Sequence, residues 1–125
     1  MSLGKILIVD DEPEVRQVLQ EFLSGRGYDV LVAESGPEAL SMLGVDQPDL
    51  VLLDVTMPGM DGVETLRRIV ALQQPVPVIM VTANADIATT SKLLAMGAVD
   101  YIPKPFDLDY LDQAVSIQVA AAQDR

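Results

Sequence analysis

The chain alternates between short apolar runs and longer stretches in which apolar residues recur at helical spacing. Turn-forming residues bound five runs short enough to be strands, at residues 6–9, 30–33, 50–53, 76–81 and 99–102. Strands that are apolar throughout, rather than at alternate positions, are typical of parallel sheets covered by helices on both faces. The pattern therefore predicts a doubly wound α/β domain in which five strands alternate with five helices.

The predicted helices carry apolar stripes and recognisable end signals. Gly25, Gly44 and Gly97 are predicted to end helices, and Asp107 is predicted to begin one. The fourth helix is predicted to be the weakest, because Thr89, Thr90 and Ser91 have poor helix propensity. The stripes comprise Val15, Val18, Leu19 and Phe22 in the first helix, Leu66, Ile69 and Val70 in the third, Ala88, Leu94 and Ala95 in the fourth, and Leu108, Leu111 and Val115 in the fifth.

Composition narrows the classes of function. The 125 residues, half of them hydrophobic, predict one domain over residues 1–125, and residues 1–3 are expected to be an addition to the natural sequence. A net charge of -11 repels the phosphate backbone of nucleic acids and the surface of anionic membranes, which argues against either as a direct partner. The chain has no Cys and no apolar run near the roughly twenty residues of a membrane span, so we expect a cytoplasmic protein.

Polar residues follow the predicted strands at the point where each strand ends. Asp10 and Asp11 follow the first strand, Asp54 the third, Thr82 the fourth and Lys104 the fifth. The carboxyl ends of parallel strands share one edge of the sheet, which is where ligands bind in this architecture. Carboxylates that are close together repel one another, and an oxygen-lined acidic cluster is the kind of site that binds Mg²⁺.

The residues at this edge of the sheet predict phosphoryl chemistry as well as metal binding. The carboxylate of Asp54 is a competent nucleophile towards phosphorus when the charge on the transferring group is neutralised. A metal ion and Lys104 would supply positive charge, and the hydroxyl of Thr82 would donate a hydrogen bond to a phosphoryl oxygen.

Each of these residues also has a simpler interpretation when it is taken alone. Asp11, followed by Glu14 three positions later, has the pattern of a helix N-cap with an acidic first turn. Asp54 could be a polar strand end before a turn, Lys104 a solvated surface lysine, and Thr82 a hydroxyl bonded to its own backbone. Because all of them are predicted to lie at one edge of the sheet, a functional site is favoured over these separate interpretations.

Four segments, taken in order, resemble the receiver domain of two-component response regulators. They are VDD, LLDVTMPGMDG, VTAN and GAVDYIPKPF, and the likeness spans residues 5–120. The resemblance implies a flavodoxin-like (βα)5 fold with a five-stranded parallel sheet in the order 2-1-3-4-5 and helices on both faces. It also implies phosphorelay signal transduction.

The resemblance assigns the site residues one by one. Asp54 matches the phosphoacceptor, and Thr82 and Lys104 match the residues that contact the phosphoryl group. The implied metal is Mg²⁺ or Mn²⁺, held by Asp10 mainly through water and directly by Asp11, Asp54 and the backbone carbonyl of Thr56.

The resemblance further implies a conformational switch. Thr82 is expected to move towards the phosphoryl group and Tyr101 to follow inward, which remodels the face made by the fourth helix, the fifth strand and the fifth helix. The Lys104–Pro105 bond matches a cis peptide that holds the lysine at the site. The positions that tune the lifetime of the acyl phosphate are Thr56 and Asn84.

The implied partners follow from the same resemblance. The phosphoryl donor would be a phosphohistidine on a sensor histidine kinase or a histidine phosphotransfer protein, because this chain has no His. The signal would pass to a downstream effector domain or protein, and a homodimer that depends on phosphorylation is compatible with the family. The domain is expected to catalyse its own phosphorylation and dephosphorylation without being a conventional enzyme, and to use no organic cofactor.

Two alternatives keep the fold but lack phosphorylation. A flavodoxin-like small-ligand module needs a hydroxyl- and glycine-rich phosphate loop after the first strand, where this chain has Asp10 and Asp11, and no nucleotide-binding glycine motif occurs. An adaptor module would not need every site residue intact. A phosphatase of the haloacid dehalogenase type needs an aspartate two residues after Asp54, where this chain has Thr56.

Overall fold

The computed structural model describes residues 2–72, 75–83 and 86–124 and confirms the alternation of strands and helices. All five described strands are parallel and form one sheet in the order β2-β1-β3-β4-β5, as expected. The elements are β1 (Lys5–Val9), α1 (Pro13–Gly25), β2 (Asp29–Ala33), α2 (Gly36–Asp46), β3 (Leu50–Asp54), α3 (Gly62–Val70), β4 (Val78–Thr82), α4 (Ile87–Ala95), β5 (Asp100–Pro103) and α5 (Leu108–Gln123).

The sheet divides the buried side chains into two layers. Alternate residues of the central strands point to opposite faces, so Ile6 and Ile8 of β1 pack with α1 and α5, whereas Leu7 and Val9 pack with α2, α3 and α4. β3 is buried along its whole length. The continuous apolar runs seen in the sequence therefore result from helices that cover both faces.

The strand register aligns the carboxyl ends of the sheet. Val9 pairs with Leu53 of β3, and Asp54 pairs with Val81 of β4. Thr82, the last residue of β4, pairs with Pro103 of β5. The residues that end or follow β1, β3, β4 and β5 therefore lie at a common edge.

Some predicted helix ends are confirmed and others are wrong. Gly97 follows α4 with a φ of 115°, and the Asp107 side chain accepts hydrogen bonds at the start of α5. Gly44, however, lies inside α2, which ends instead at Asp46 and is followed by Gln47 as its C-cap, with a φ of 47°. Gly25 is the last residue of α1, and Gly27 has the left-handed conformation there, with a φ of 102°.

The alternative interpretation of Asp11 as a helix N-cap is wrong as well. Helix α1 begins at Pro13, and the residue that precedes it, Glu12, is the N-cap and makes no capping hydrogen bond with its side chain. Proline favours the first position of a helix because its φ is already helical and its missing N–H would have no partner there. Asp11 is therefore not the residue that starts the helix.

Several stripe residues lie at the border of the buried face instead of inside it. Val18, Val70 and Leu108 are between 39% and 49% exposed, and Leu94 of α4 is 43% exposed. The buried residues of α4 are Thr90 and Leu93. Thr90 can be buried because its hydroxyl donates to the Asp86 carbonyl one turn earlier, at 2.9 Å.

The N-terminal segment that is expected to be an addition makes defined contacts. The Leu3 N–H donates to the Gly27 carbonyl at 2.9 Å, and the Gln123 side chain donates to the Leu3 carbonyl at 2.8 Å. These bonds link the segment before β1 to the turn after α1 and to the end of α5, respectively. Among the described helices, none combines the length and apolar character needed to cross a bilayer.

Candidate functional site

Four acidic side chains converge at the carboxyl edge of the sheet. Asp10 follows β1, and Asp54 ends the adjacent β3; they are only 2% and 5% exposed. Asp11 is half-buried and Glu12 is exposed. One carboxylate oxygen from each of the four lies within 4.8 Å of the others. The structure thus brings together the three aspartates that the sequence placed at this edge.

Glu12 is the member of this cluster that sequence reasoning missed. It comes directly after Asp11, but the sequence indicated only its proximity to a helix start. In the structure its N–H donates to Asp10 Oδ1 at 2.9 Å, and its carboxylate reaches back towards the site. A run of three acids after a buried strand was the signal that could have identified it.

Lys104 lies among these carboxylates. Its Nζ is 3.4 Å from Asp10 Oδ2, 3.5 Å from Glu12 Oε1 and 3.6 Å from Asp54 Oδ1. The backbone N–H of Lys104 donates to the Thr82 carbonyl at 2.8 Å, and the peptide bond to Pro105 is cis, as expected. One ammonium group therefore serves three carboxylates.

Burial and mutual repulsion set the protonation of the cluster. Burial, together with the negative charge of Asp10, raises the pKa of Asp54 to about 6, although Lys104 and the Thr56 N–H act in the opposite direction. Burial also raises the pKa of Asp10. The pKa of Lys104 is raised as well: burial opposes its charge, but the attraction of Asp10 and Asp54 outweighs that effect. The negative charge of the cluster exceeds what Lys104 neutralises.

The donor set fits a hard divalent cation. All four converging side chains offer carboxylate oxygens, which Mg²⁺ and Mn²⁺ prefer, and none offers sulfur or imidazole. A cation would relieve the repulsion that raises the pKa of Asp54. The residues present therefore suit a magnesium-type site.

The cluster opens into a cleft with a volume of about 530 Å³. Within it, the Thr56 N–H donates to Asp54 Oδ1 at 3.3 Å, which orients the carboxylate. The small side chain of Ala83 leaves space beside Asp54, so the cleft has room for a phosphoryl group. The lining residues are Asp11, Glu12, Asp54, Thr56, Met57, Pro58, Ala83 and Lys104.

The predicted switch residues lie on the strands beside this cleft. Thr82 is buried at the end of β4, one residue past the register partner of Asp54, and is followed by Ala83 in the cleft wall. Tyr101 of β5 is half-buried and packs against the core layer that contains Leu93 of α4. Asn84, predicted to tune the acyl phosphate, lies outside the described residues.

Comparison with known families decides the assignment. The sequence model described as "Response regulator receiver domain" matches residues 6–116. The chain belongs to this family. Membership confirms the resemblance and agrees with the observed order of the strands.

The curated relatives include one protein of about the same length as this chain and others that are much longer. The chain is 40% identical over 115 residues to sporulation initiation phosphotransferase F of Bacillus subtilis, covering 92% of this chain and 93% of the relative. It is 41% identical over 120 residues to the transcriptional regulator NtrC of Klebsiella pneumoniae, covering 93% of this chain but 26% of NtrC. The chain thus spans about a quarter of the length of NtrC, and likewise 25% of AtoC of Escherichia coli.

Solved receivers have the same fold. The receiver domain of the Francisella response regulator 1452 superposes with a TM-score of 0.90 at 30% identity, covering 94% of this receiver and 98% of the other chain. Chemotaxis protein CheY4 of Vibrio cholerae superposes with a TM-score of 0.82 at 31% identity, covering 90% and 95%. The receiver is therefore not a member of a conventional enzyme family, and a small-ligand or adaptor module without phosphorylation is not favoured.

Proposed function

We propose that this receiver accepts a phosphoryl group on Asp54 from a phosphohistidine of a partner histidine kinase or phosphotransfer protein. The observation that carries the proposal is the position of Asp54 in the acidic cluster, with its carboxylate open to the cleft and 3.6 Å from the Lys104 ammonium. The family supports signalling by aspartate phosphorylation, and Asp54 is the buried aspartate that lines the cleft.

The transfer is a displacement at phosphorus. A carboxylate oxygen of Asp54 forms a bond to phosphorus while the bond from phosphorus to the donor imidazole nitrogen breaks, and that electron pair stays on the nitrogen. The product is an acyl phosphate. In the second half of the cycle, a water oxygen forms a bond to phosphorus while the bond from phosphorus to the Asp54 oxygen breaks. The electron pair of that bond stays on the carboxylate, and inorganic phosphate and a proton are released. The receiver catalyses both steps on itself.

The surrounding residues bind and orient the reacting groups. Lys104 pairs with a phosphoryl oxygen once Asp54 is modified, and the Thr82 hydroxyl donates a hydrogen bond to a second one. When bound, Mg²⁺ or Mn²⁺ would supply positive charge that offsets the negative charge of the transferring phosphoryl group. The proposed ligands are Asp11, Asp54 and the backbone carbonyl of Thr56, with Asp10 acting mainly through water.

The output is a change in the face made by α4, β5 and α5. Thr82 moves towards the phosphoryl group and Tyr101 follows inward, and Thr56 and Asn84 tune how long the acyl phosphate lasts. Support for a movable α4 comes from its nine residues and from a buried face of only Thr90 and Leu93. The signal then passes to an effector domain or protein in the cytoplasm, with homodimer formation as one route.

The proposal is tested by intact-mass analysis after incubation with acetyl phosphate. We expect one phosphoryl adduct per chain in the presence of Mg²⁺ and none in excess EDTA, because the uncompensated acids repel the donor. Hydroxylamine should remove the adduct, since it cleaves acyl phosphates. An adduct that forms equally well in EDTA, or that peptide mapping places on a residue other than Asp54, would contradict the proposal.

We also expect Mg²⁺ to stabilise the fold. If Mg²⁺ binds only the folded state, a concentration of about ten times its dissociation constant adds roughly 1.4 kcal/mol to the free energy of unfolding. For a domain of this size that raises the thermal midpoint by about 5 °C. Thermal unfolding followed by circular dichroism measures the shift. Asp11→Asn should reduce it, whereas Glu21→Gln, an exposed acid on α1 outside the cluster, should retain it. An unchanged wild-type midpoint at saturating Mg²⁺ would count against the metal site.

A further inference from the structure

We propose that Arg16 is a positioning residue that fixes the backbone carrying Asp10 and Asp11 and so sets the affinity of the acidic cluster for its divalent cation. This inference rests on the proposed function, because it concerns the same site. Arg16 is not part of the acidic cluster or of the cleft wall.

The Arg16 guanidinium is held between two acceptors. Its Nη1 donates to the backbone carbonyl oxygen of Asp10 at 2.7 Å, and its Nη2 lies 3.3 Å from Glu34 Oε1. The Arg16 side chain is only 13% exposed, whereas that of Glu34 is 70% exposed. A planar guanidinium can reach two acceptors in fixed directions, which an ammonium group cannot do as well.

The Asp10 carbonyl is a sensitive point of the site. The Asp10 N–H still bonds to the Ala33 carbonyl of β2, at 3.1 Å, but the next peptide unit lies past the end of β1. That peptide unit joins Asp10 to Asp11, so its orientation determines where both carboxylates point. Arg16 holds the oxygen of this peptide unit, and the Glu12 N–H holds the Asp10 carboxylate at 2.9 Å.

A purely electrostatic role for Arg16 predicts the opposite sign. If the residue acted only through its positive charge, removing that charge would make the acidic cluster bind a cation more tightly. If Arg16 positions the ligands, removing it leaves them less ordered, and the loss of a group that orients metal ligands typically weakens binding by about tenfold or more. The sign of the change in affinity therefore separates the two roles.

The test is calorimetric titration of MgCl2 into the wild type, Arg16→Met, Arg16→Lys and Glu34→Gln. We expect Arg16→Met to weaken Mg²⁺ binding by about tenfold, and Arg16→Lys to weaken it less, because lysine keeps a donor for one of the two acceptors. Glu34→Gln removes the exposed pair but retains the Asp10 contact, so its affinity should stay within about twofold of the wild type.

The outcomes distinguish this inference from the proposed function. Thermal unfolding of the metal-free variants first establishes which are folded; if Arg16→Met is not, Arg16→Lys carries the comparison, with an expected loss of about threefold. If the wild type binds Mg²⁺ but the folded variant, Arg16→Met or otherwise Arg16→Lys, binds it equally well or more tightly, the role of Arg16 is overturned while the proposed function stands. Failure of the wild type to bind Mg²⁺ or to take up a phosphoryl group would overturn the proposed function and this inference together.

Discussion

Replacing Asp54 with Asn should abolish phosphoryl uptake and, in metal-free buffer, make the protein more stable at neutral pH. Uptake is lost because an amide oxygen is not a competent nucleophile towards phosphorus. Stability is gained because the fold disfavours the charged carboxylate: burial and the charge of Asp10 raise the pKa of Asp54 to about 6. The residue that we place at the centre of the chemistry is thus a cost to the metal-free fold.

The raised pKa fixes the pH range of this effect. The folded protein binds the Asp54 proton more tightly than the unfolded chain does, whose pKa is about 4. The resulting stabilisation is fully present below about pH 4 and is lost as the pH rises through about 6. Above pH 6 the charged carboxylate therefore lowers the free energy of unfolding of the wild type by up to about 3 kcal/mol. The gain in Asp54→Asn is smaller, about 1 to 3 kcal/mol, because Lys104 loses one of its partners in the variant.

Urea denaturation in EDTA measures the stability difference between wild type and Asp54→Asn. We expect the gain in the free energy of unfolding at pH 8 to fall to about half at pH 5, because pH 5 lies about midway between the pKa values of Asp54 in the unfolded and folded states. Asp29→Asn, which alters an exposed aspartate at the start of β2, serves as the matched control and should show no such gain. A phosphoryl adduct on Asp54→Asn, or a variant less stable than the wild type at pH 8, would contradict the prediction.

The fold could be predicted from the sequence because short apolar runs, which are visible locally, reflect how the strands are buried in the complete fold. Continuous apolar runs such as residues 50–53 are explained by helices on both faces, and the structure places the ends of all five strands within two residues of the predicted ends. Parallel pairing then brings the strand ends together at one edge. The convergence of Asp10, Asp11 and Asp54 follows from that geometry alone.

The errors arose where local propensity competes with packing. Glycine at position 44 suggests a helix end, but nothing lies within 4 Å of the site of its missing Cβ, and α2 continues past it to Asp46. In α4 the sequence indicated Leu94 as buried, whereas the hydroxyl of Thr90 is satisfied within the helix and that residue is buried instead. Side-chain hydrogen bonds of this kind are not visible in a hydrophobic pattern.

The contacts that Glu12 and Arg16 make near the strand ends were not assigned from the hydrophobic pattern for a related reason. Glu12 is exposed and Arg16 lies on a helix that the sequence defined only by its apolar stripe. Their contributions depend on where α1 begins, and the start at Pro13 turns Arg16 towards the Asp10 carbonyl. The convergence of the strand-end aspartates was therefore predictable, but the contacts of Glu12 and Arg16 were not.

Gly62 is expected to be the least replaceable residue near the site that carries no chemistry. It is the first residue of α3, and a Cβ built there would lie 2.0 Å from the Asp54 carbonyl oxygen and 2.7 Å from the Val55 Cα. Its own N–H donates to the Val55 carbonyl at 2.9 Å, so the helix start is held against the end of β3, where Asp54 lies. The constraint is space rather than conformation, because the contacts are with backbone atoms that cannot move aside alone.

Gly62→Ala should therefore destabilise the receiver by about 2 to 4 kcal/mol, because the added methyl group must displace either α3 or the end of β3. Gly44→Ala is the matched control: its methyl group meets nothing, and replacing a helical glycine should stabilise the fold by up to about 1 kcal/mol. Urea denaturation midpoints of both variants measure this contrast. Equal midpoints would show that α3 can shift freely, and in that case the position of Asp54 would not depend on the close contact between Gly62 and β3.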